Sequence, residues 1–260
     1  MKVSGFRLHR LHHLTVASLA AAIGLANSPL AAQAPAPASP TATAPAEAAL
    51  TPGKRPDPAR FEKELAKFDA EFKEKPVKGG IVFTGSSSIR LWKTATAFPK
   101  LAILNRGFGG SVANDLVVHA DRVVLRYEPK VLVVYTGSND LNAKLKPEEV
   151  LADYTAFLNL VHEKLPDCRV IVNSVKVSES RLKQIPAVNQ LNSLLQAWCE
   201  GKSWVRWLES MNYLMDDKGV PKNEYFRKDK LHLNDAGYAK WNAIIGPVIK
   251  EEWAKAGGKD

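Results

Sequence analysis

Short apolar runs of strand length alternate with helical patterns along most of residues 57–260. Continuous apolar strands that are separated by helices are typical of a parallel sheet with both faces covered. We therefore predict an α/β fold, a three-layer α/β/α sandwich of the doubly wound, flavodoxin-like type with a parallel sheet of about five strands. The predicted strands cover residues 81–83, 102–104, 131–135, 170–172 and 204–208.

Helical patterns lie before, between and after these strands. Asp57 is a preferred N-cap residue and Pro58 suits the first helical position, so we predict a helix that begins there and ends near Pro76. Residues 57–260 are long enough to form one domain with a full core. Further helices are predicted over residues 112–126, 147–164, 185–198 and 235–256.

The first residues have the composition of an export signal. Lys2, Arg7 and Arg10 precede an apolar, alanine-rich segment, residues 14–26, which is too short to anchor the chain across a bilayer. We predict a signal peptide over residues 1–32, with an uncertain cleavage site, and an exported protein in the periplasm or outside the cell. An uncleaved N-terminal anchor is the alternative interpretation.

The segment that follows has a different composition. Residues 33–56 are rich in Ala, Pro and Thr and cannot build a core, so we predict an extended linker. The catalytic or binding unit is then residues 57–260, as one domain. No internal repeat is present in the sequence.

Charge and cysteine content limit the classes of partner. The formal net charge is +9, and the leader contributes three of these charges. This excess favours weak association with anionic envelope polymers. The sequence lacks a basic stripe with interleaved aromatic residues, the pattern that would indicate nucleic-acid binding. Cys168 and Cys199 are too few for a disulfide scaffold or a zinc site, and the sequence leaves open whether they form one bridge.

Polar residues with catalytic potential follow four of the predicted strands. In open parallel sheets, ligands bind where the strands end and the next loops begin. The four segments therefore meet at one edge of the sheet. They are residues 85–88 (GSSS), 105–111 (NRGFGGS), 136–140 (TGSND) and, after a long loop, 227–235 (RKDKLHLND).

These residue types suit ester hydrolysis. The reaction needs an activated hydroxyl, a base within hydrogen-bond reach, a group that holds the base, and donors for the oxyanion. His232 can take and return a proton near neutral pH, and Asp229 can turn back to fix its tautomer. A glycine lets the backbone approach an oxyanion closely, and an asparagine side chain supplies a further N–H donor. The three serines at 86–88, taken alone, predict only a helix cap.

Together the four segments resemble the SGNH, or GDSL-type, hydrolase superfamily, over nearly all of residues 57–260. FTGSSSIRLW is similar to its first block, NRGFGGS to its second, TGSND to its third and DKLHLNDAGYAKW to its Asp-x-x-His block. Within that superfamily the chain is most similar to single-domain bacterial esterases of the platelet-activating-factor acetylhydrolase and lysophospholipase type. One departure is Ser86, which stands where the first block usually has aspartate.

The resemblance implies a specific set of site residues. Ser87 would be the nucleophile, with Asp229 and His232 as its acid–base pair. The oxyanion hole would comprise the backbone N–H groups of Ser87 and Gly110 and the side-chain amide of Asn139. The superfamily uses neither a metal nor an organic cofactor, so none is expected here.

The predicted function is that of an exported serine esterase that hydrolyses carboxylic ester bonds through an acyl-enzyme. Its substrates would be short-chain acyl esters or lysophospholipid-like molecules, and the alternative is an O-acetylesterase that acts on envelope or plant glycans. Two other classes stay open from the sequence: a non-catalytic relative that binds glycans, and a flavodoxin-like carrier whose serine-rich loop holds the phosphate of FMN.

Overall fold

The predicted parallel sheet is present in the computed structural model, which describes residues 54–259. Within those residues the strands lie in the order β2-β1-β3-β4-β5, and every neighbouring pair is parallel. The α/β fold class is confirmed, and the predicted strands differ from the observed ones by a few residues at their ends. The strands are Ile81–Gly85 (β1), Ile103–Gly107 (β2), Val131–Tyr135 (β3), Arg169–Asn173 (β4) and Val205–Leu208 (β5).

Helices connect the strands. The α-helices are Glu62–Glu74 (α1), Ser87–Arg90 (α2), Thr94–Ala97 (α3), Ala113–Val118 (α4), Ala120–Val123 (α5), Ser138–Asn142 (α6), Pro147–Lys164 (α7), Ile185–Cys199 (α8) and Asp235–Lys255 (α9). Short 3-10 segments lie at Pro58–Phe61, Leu125–Tyr127, Glu179–Gln184, Asn212–Leu214 and Asn223–Tyr225.

The two faces of the sheet carry separate apolar clusters. Alternate strand residues point to opposite sides, so each strand contributes to both clusters. On one side α1, α4, α5, α7 and α8 cover Val82, Leu132, Val134, Val170 and Val172. On the other side α2 and α9 cover Ile81, Phe83, Val131, Val133 and Ile171, with Trp241 of α9 fully buried among them. This arrangement is the predicted three-layer sandwich.

The helix predicted over residues 112–126 is interrupted. α4 ends at Val118, and His119 has φ −102° and ψ 17°, so it leaves helical geometry before α5 begins. The His119 ring nitrogen Nε2 lies 3.1 Å from the carbonyl oxygen of Pro58. This tertiary contact coincides with the break, in a segment whose valines have lowered helix propensity because they branch at Cβ.

The strand order fixes the position of the site. The order of connection reverses between β1 and β3, which lie side by side in the sheet, and a crevice forms outside the carboxyl ends of strands at such a point. The segments that follow β1, β2 and β3 therefore converge there. Among the described residues, no helix is both long and apolar enough to cross a membrane. The predicted signal peptide, residues 1–32, and most of the linker, residues 33–56, lie outside the described residues.

Candidate active site

The turn after β1 is held tightly by its neighbours. Gly85 has φ +133°, and a Cβ at this position would lie 1.8 Å from the carbonyl oxygen of Tyr135 on β3, so only glycine fits. The backbone N–H of Ser86 donates to that same oxygen at 3.1 Å, and the N–H of Phe108 donates to the Gly85 carbonyl at 2.9 Å. The turn is thereby fixed to β3 on one side and to the end of β2 on the other.

Only one of the three serines reaches the histidine. Ser86 is the N-cap of α2, and both Ser86 and Ser88 are buried. Ser87 is the first residue of α2 and is partly exposed. Its Oγ lies 2.9 Å from Nε2 of His232.

His232 lies in a tight loop that also carries its carboxylate partner. Nδ1 of His232 lies 2.8 Å from Oδ2 of Asp229. The other oxygen of Asp229, Oδ1, accepts the backbone N–H groups of Leu231 at 3.0 Å and His232 at 2.9 Å. The loop is closed by hydrogen bonds from the N–H of Arg227 to the His232 carbonyl and from the N–H of Lys230 to the Arg227 carbonyl. The carboxylate therefore holds both the imidazole and the backbone that bears it.

These contacts keep Asp229 ionised. Partial burial raises its pKa, but the hydrogen bonds from the His232 ring and from two backbone N–H groups outweigh burial and lower the pKa to about 2. An ionised carboxylate accepts a proton-bearing Nδ1, so Nε2 of His232 faces Ser87 as the acceptor. The imidazole is thus oriented to remove the Ser87 proton.

Each of the three groups predicted for the oxyanion hole keeps an N–H without an acceptor among the described residues. Within residues 54–259, no acceptor takes the backbone N–H of Ser87 or that of Gly110. Gly110 has φ +85° in the turn after β2, a conformation that favours glycine. The Asn139 amide donates one N–H to the carbonyl of the next residue, Ser111, at 3.0 Å. The amide of Asn139 therefore lies beside the Gly110 turn.

A small cavity lies beside the residue that carries the Ser87 hydroxyl. Its walls are mostly polar, and Gly110 is not one of them. The lining residues are Ser86, Ser87, Ser88, Tyr135, Ser138, Asn139, Lys176, Arg181, Leu231 and His232.

Two of these residues have basic side chains that none of the four sequence motifs contains. Lys176 is buried, and its Nζ donates to the carbonyl of Leu231 at 2.7 Å. Arg181 donates to Ser138 and Asn139. Both follow β4, whose end carries none of the four motif segments. The rule that ligands bind at strand ends, applied to β4 as well, would have indicated Lys176.

The described residues also bear on metal binding and on the two cysteines. No group of three His, Cys, Asp or Glu side chains there is arranged to hold a metal ion. Cys168 and Cys199 are both buried and unbridged, and burial raises the pKa of their thiols to about 12 and about 11.

Comparison with known proteins identifies the family. The chain matches the model of the GDSL-like lipase/acylhydrolase family over residues 90–240. This match spans more than half of the chain, so the protein belongs to that family of acylhydrolases and esterases. The resemblance to SGNH hydrolases is confirmed. The matched range contains Gly110, Asn139, Asp229 and His232 and begins just after the turn that carries Ser87. No curated protein sequence matches the chain.

Solved structures share the fold. A protein from Streptococcus pneumonia, provisionally described as a platelet activating factor, has a TM-score of 0.66 at 22% identity, covering 72% of this chain and 91% of that chain. A GDSL-like lipase from Bacteroides thetaiotaomicron has a TM-score of 0.59 at 17% identity, covering 75% and 98%. A family 3 carbohydrate esterase from Clostridium thermocellum has a TM-score of 0.53 at 18% identity, covering 69% and 100%.

Proposed function

We propose that the protein is a serine carboxylic ester hydrolase that works through an acyl-enzyme on Ser87. The observation that carries the proposal is the continuous contact from Asp229 through His232 to Ser87, with distances of 2.8 Å and 2.9 Å. An activated serine requires this order of carboxylate, imidazole and hydroxyl. Family membership supports the same class of reaction.

The acylation step follows from these contacts. Oγ of Ser87 attacks the ester carbonyl carbon while its proton passes to Nε2 of His232, and Asp229 stabilises the imidazolium. The bond to the alcohol then breaks, and His232 returns the proton to the leaving oxygen. Water repeats the sequence on the acyl-enzyme: its proton passes to His232, the carboxylic acid leaves, and Ser87 regains the proton.

The negative charge that develops on the carbonyl oxygen needs fixed donors. The unoccupied N–H groups of Ser87 and Gly110 and the free N–H of the Asn139 amide are the groups we assign to this role. Donors that are already in place stabilise the transition state without reorganising during the reaction. Each is therefore expected to act on kcat.

The cavity favours short acyl groups. Only about 10 Å³ of it can hold the centre of a water-sized sphere, far below the roughly 300–1,000 Å³ of pockets that hold drug-sized ligands. Its walls are polar, with Leu231 as the aliphatic residue. In a series of p-nitrophenyl esters from acetate to octanoate, we expect kcat/KM to be highest for acetate and to fall with chain length. A maximum at octanoate would contradict the assignment to short acyl groups.

An O-acetylesterase acting on glycans is the second candidate. The small polar cavity suits an acetyl group, and one protein of the same fold is a family 3 carbohydrate esterase from Clostridium thermocellum. Acetylated glycans run beside the model esters distinguish the two. A higher kcat/KM on the glycan would favour this candidate over the simple ester hydrolase.

We also propose that the enzyme is exported to the periplasm or the medium, because residues 1–32 have a basic start and a short apolar segment. Its reaction partner is a small-molecule ester, without nucleic acid and without a stable membrane anchor. The formal net charge of +9 includes three charges of the leader, and the remaining excess of about +6 supports weak association with anionic envelope polymers.

Ser87→Ala tests the central assignment. We expect the variant to lose hydrolysis of p-nitrophenyl acetate by about 10⁴-fold or more, since no other hydroxyl contacts His232 within the described residues. The thermal midpoint should be close to that of the parent protein. Ser86→Ala and Ser88→Ala are the matched controls, and both should keep most of the activity.

Labelling with a fluorophosphonate separates catalysis from mere binding. The parent protein should be labelled on Ser87, and Ser87→Ala should not be labelled. Activity that survives in Ser87→Ala but not in Ser86→Ala would show that the register is wrong. A parent protein that neither hydrolyses esters nor reacts with the fluorophosphonate would be a non-catalytic relative.

A further inference from the structure

Arg181 reaches the catalytic cavity from the segment that follows β4. It lies within the 3-10 segment Glu179–Gln184, where its backbone departs from helical geometry with φ −131° and ψ 29°. Its side chain is half-buried and lines the cavity at Ser87. By contrast, Leu182 and Lys183, the next two residues, are exposed. The kink therefore turns this one side chain inward.

The guanidinium contacts the segment that carries Asn139. Nη1 of Arg181 donates to the carbonyl oxygen of Ser138 at 2.9 Å and to its Oγ at 2.7 Å. Nη2 of Arg181 donates to Oδ1 of Asn139 at 3.1 Å. Two neighbouring nitrogens of one rigid, planar group thus hold the backbone and the side chain of adjacent residues.

No carboxylate accompanies this cation. Within residues 54–259, Arg181 forms no ion pair, whereas Arg60, Arg106 and Arg122 each pair with an acidic side chain. Burial lowers the pKa of Arg181, which reflects the cost of removing an unpaired charge from water. Arg181 contacts only neutral acceptors in the segment that carries Asn139. A half-buried cation without an acidic partner is not expected to stabilise the fold.

These contacts orient the Asn139 amide. Its oxygen accepts from Arg181, and one of its N–H groups donates to the Ser111 carbonyl at 3.0 Å. Turning the amide by half a rotation would place its oxygen against the Ser111 carbonyl and its nitrogen against the guanidinium, and both contacts would be repulsive. Only one orientation satisfies both neighbours. In that orientation the second N–H of Asn139 is free to donate.

The charge of Arg181 also acts through the amide. A hydrogen bond from a cation to the amide oxygen draws electron density toward that oxygen, which makes the N–H groups of the same amide stronger donors. The effect is largest when the acceptor carries full negative charge, as the oxyanion does in the transition state. A neutral ester carbonyl in the ground state gains less.

We propose that Arg181 is a positioning residue for the oxyanion hole, which fixes and polarises the Asn139 amide so that it stabilises the transition state. The proposal rests on the proposed serine esterase function. In this role Arg181 forms no covalent bond and donates no hydrogen bond to the oxyanion itself. The segment after β4 thus contributes Arg181, a charged residue that orients one donor of the oxyanion hole.

Arg181→Gln and Arg181→Lys test the role, with Lys183→Ala as the control from the same segment. For p-nitrophenyl acetate we expect Arg181→Gln to lower kcat by about 10- to 100-fold, below the roughly 10²–10³-fold cost of removing an oxyanion donor. KM should change by less than about threefold, since the ground-state carbonyl gains little from a polarised donor. Arg181→Lys should recover only part of kcat, because an ammonium cannot span Ser138 and Asn139.

A double-mutant cycle with Asn139 gives the sharper result. In an Asn139→Ala background, Arg181→Gln should cost less than about threefold in kcat, since the group through which it acts is gone. Added guanidinium ion, below denaturing concentrations, should raise kcat of Arg181→Ala and leave the parent unchanged. An equal loss of kcat with and without Asn139 would overturn the proposal, and so would a change confined to KM.

The outcomes distinguish this inference from the proposed function. If Ser87→Ala abolishes activity and Arg181→Gln retains full kcat, the positioning role is wrong and the esterase assignment stands. If Ser87→Ala retains activity, the esterase mechanism itself is wrong. Thermal midpoints of the variants, compared with that of Lys183→Ala, show whether a lost fold explains a lost rate.

Discussion

At the scale of the residue, Asp229 combines exposure with tight hydrogen bonding. About half of its side chain is exposed to solvent, with 47% of the side-chain surface accessible. Both of its oxygens are nevertheless engaged, one by the His232 ring and one by two backbone N–H groups. The position of the carboxylate is therefore set by local hydrogen bonds within a short loop, and burial contributes little.

Asp229→Asn should separate orientation from folding. The asparagine oxygen can still accept the N–H groups of Leu231 and His232, so we expect little change in the thermal midpoint. Its amide nitrogen would face Nδ1 of His232 and favour the wrong tautomer, which should lower kcat by about 10³- to 10⁴-fold. The measurement is kcat for p-nitrophenyl acetate at neutral pH. A loss below tenfold would mean that this carboxylate does not control the imidazole.

The sequence nominates site residues only where they belong to spaced motifs, and it misses residues that do not. The four motifs and their resemblance to SGNH hydrolases nominate Ser87, Asp229 and His232, and the structure brings these three groups into contact. Arg181 has no such motif. Its contact with Asn139 depends on a backbone kink at φ −131° and on the packing of two distant segments, neither of which local sequence encodes.

At the scale of the element, the ends of the strands decide the geometry of the site. Asn105 on β2 illustrates this, because its amide nitrogen donates to the carbonyls of Ile89 at 2.7 Å and Trp92 at 3.0 Å. Its amide oxygen accepts the N–H of Gly107 at 3.0 Å. The Asn105 side chain thus donates hydrogen bonds to carbonyl groups at and just after the carboxyl end of α2, the helix that begins with Ser87. These bonds hold that helix against the end of β2.

The predictability of the elements follows the strength of their patterns. β3 and α7 were predicted with their observed bounds, since VLVVY is a continuous apolar run and Pro147 marks a helix start. The segment over residues 112–126 was predicted as one helix and is not. There the apolar pattern continues through His119, but the contact of its ring with Pro58 belongs to the tertiary structure.

At the scale of the whole molecule, buried charge collects at the carboxyl edge of the sheet. Burial raises the pKa of Asp140 to about 7, although the N–H of Ala113 donates to one of its oxygens. Burial also lowers the pKa of Lys176 to about 7, with a further contribution from Arg181 that Asp229 opposes. Both shifts disfavour the charged form, so both groups cost stability near neutral pH. The folded domain is therefore expected to gain stability if either charge is removed.

The sign of the effect differs between the two groups. Asp140 has a folded-state pKa above its unfolded value of 3.8, so its contribution to stability is lost as pH rises toward 7. Lys176 has a folded-state pKa below its unfolded value of 10.5, so its contribution is lost as pH falls from that value toward 7. The combined contribution of the two groups to the free energy of unfolding is therefore lowest near pH 7. The catalytic edge of the sheet is least stable, by this account, at the pH where a histidine base operates.

Lys176→Met makes this balance measurable. Methionine fills a similar volume against Phe226 without a charge, and it loses the hydrogen bond to the Leu231 carbonyl at every pH. We expect the free energy of unfolding of the variant to exceed that of the parent protein by the largest amount near pH 7. This advantage should shrink steadily toward pH 10, because the parent then folds with a neutral amine. Urea unfolding at intervals between pH 6 and pH 10 gives the difference curve, and Lys183→Met is the exposed control whose curve should be flat. A flat curve for Lys176→Met would show that the amine is solvated in the folded protein and that the carboxyl edge of the sheet bears no such cost.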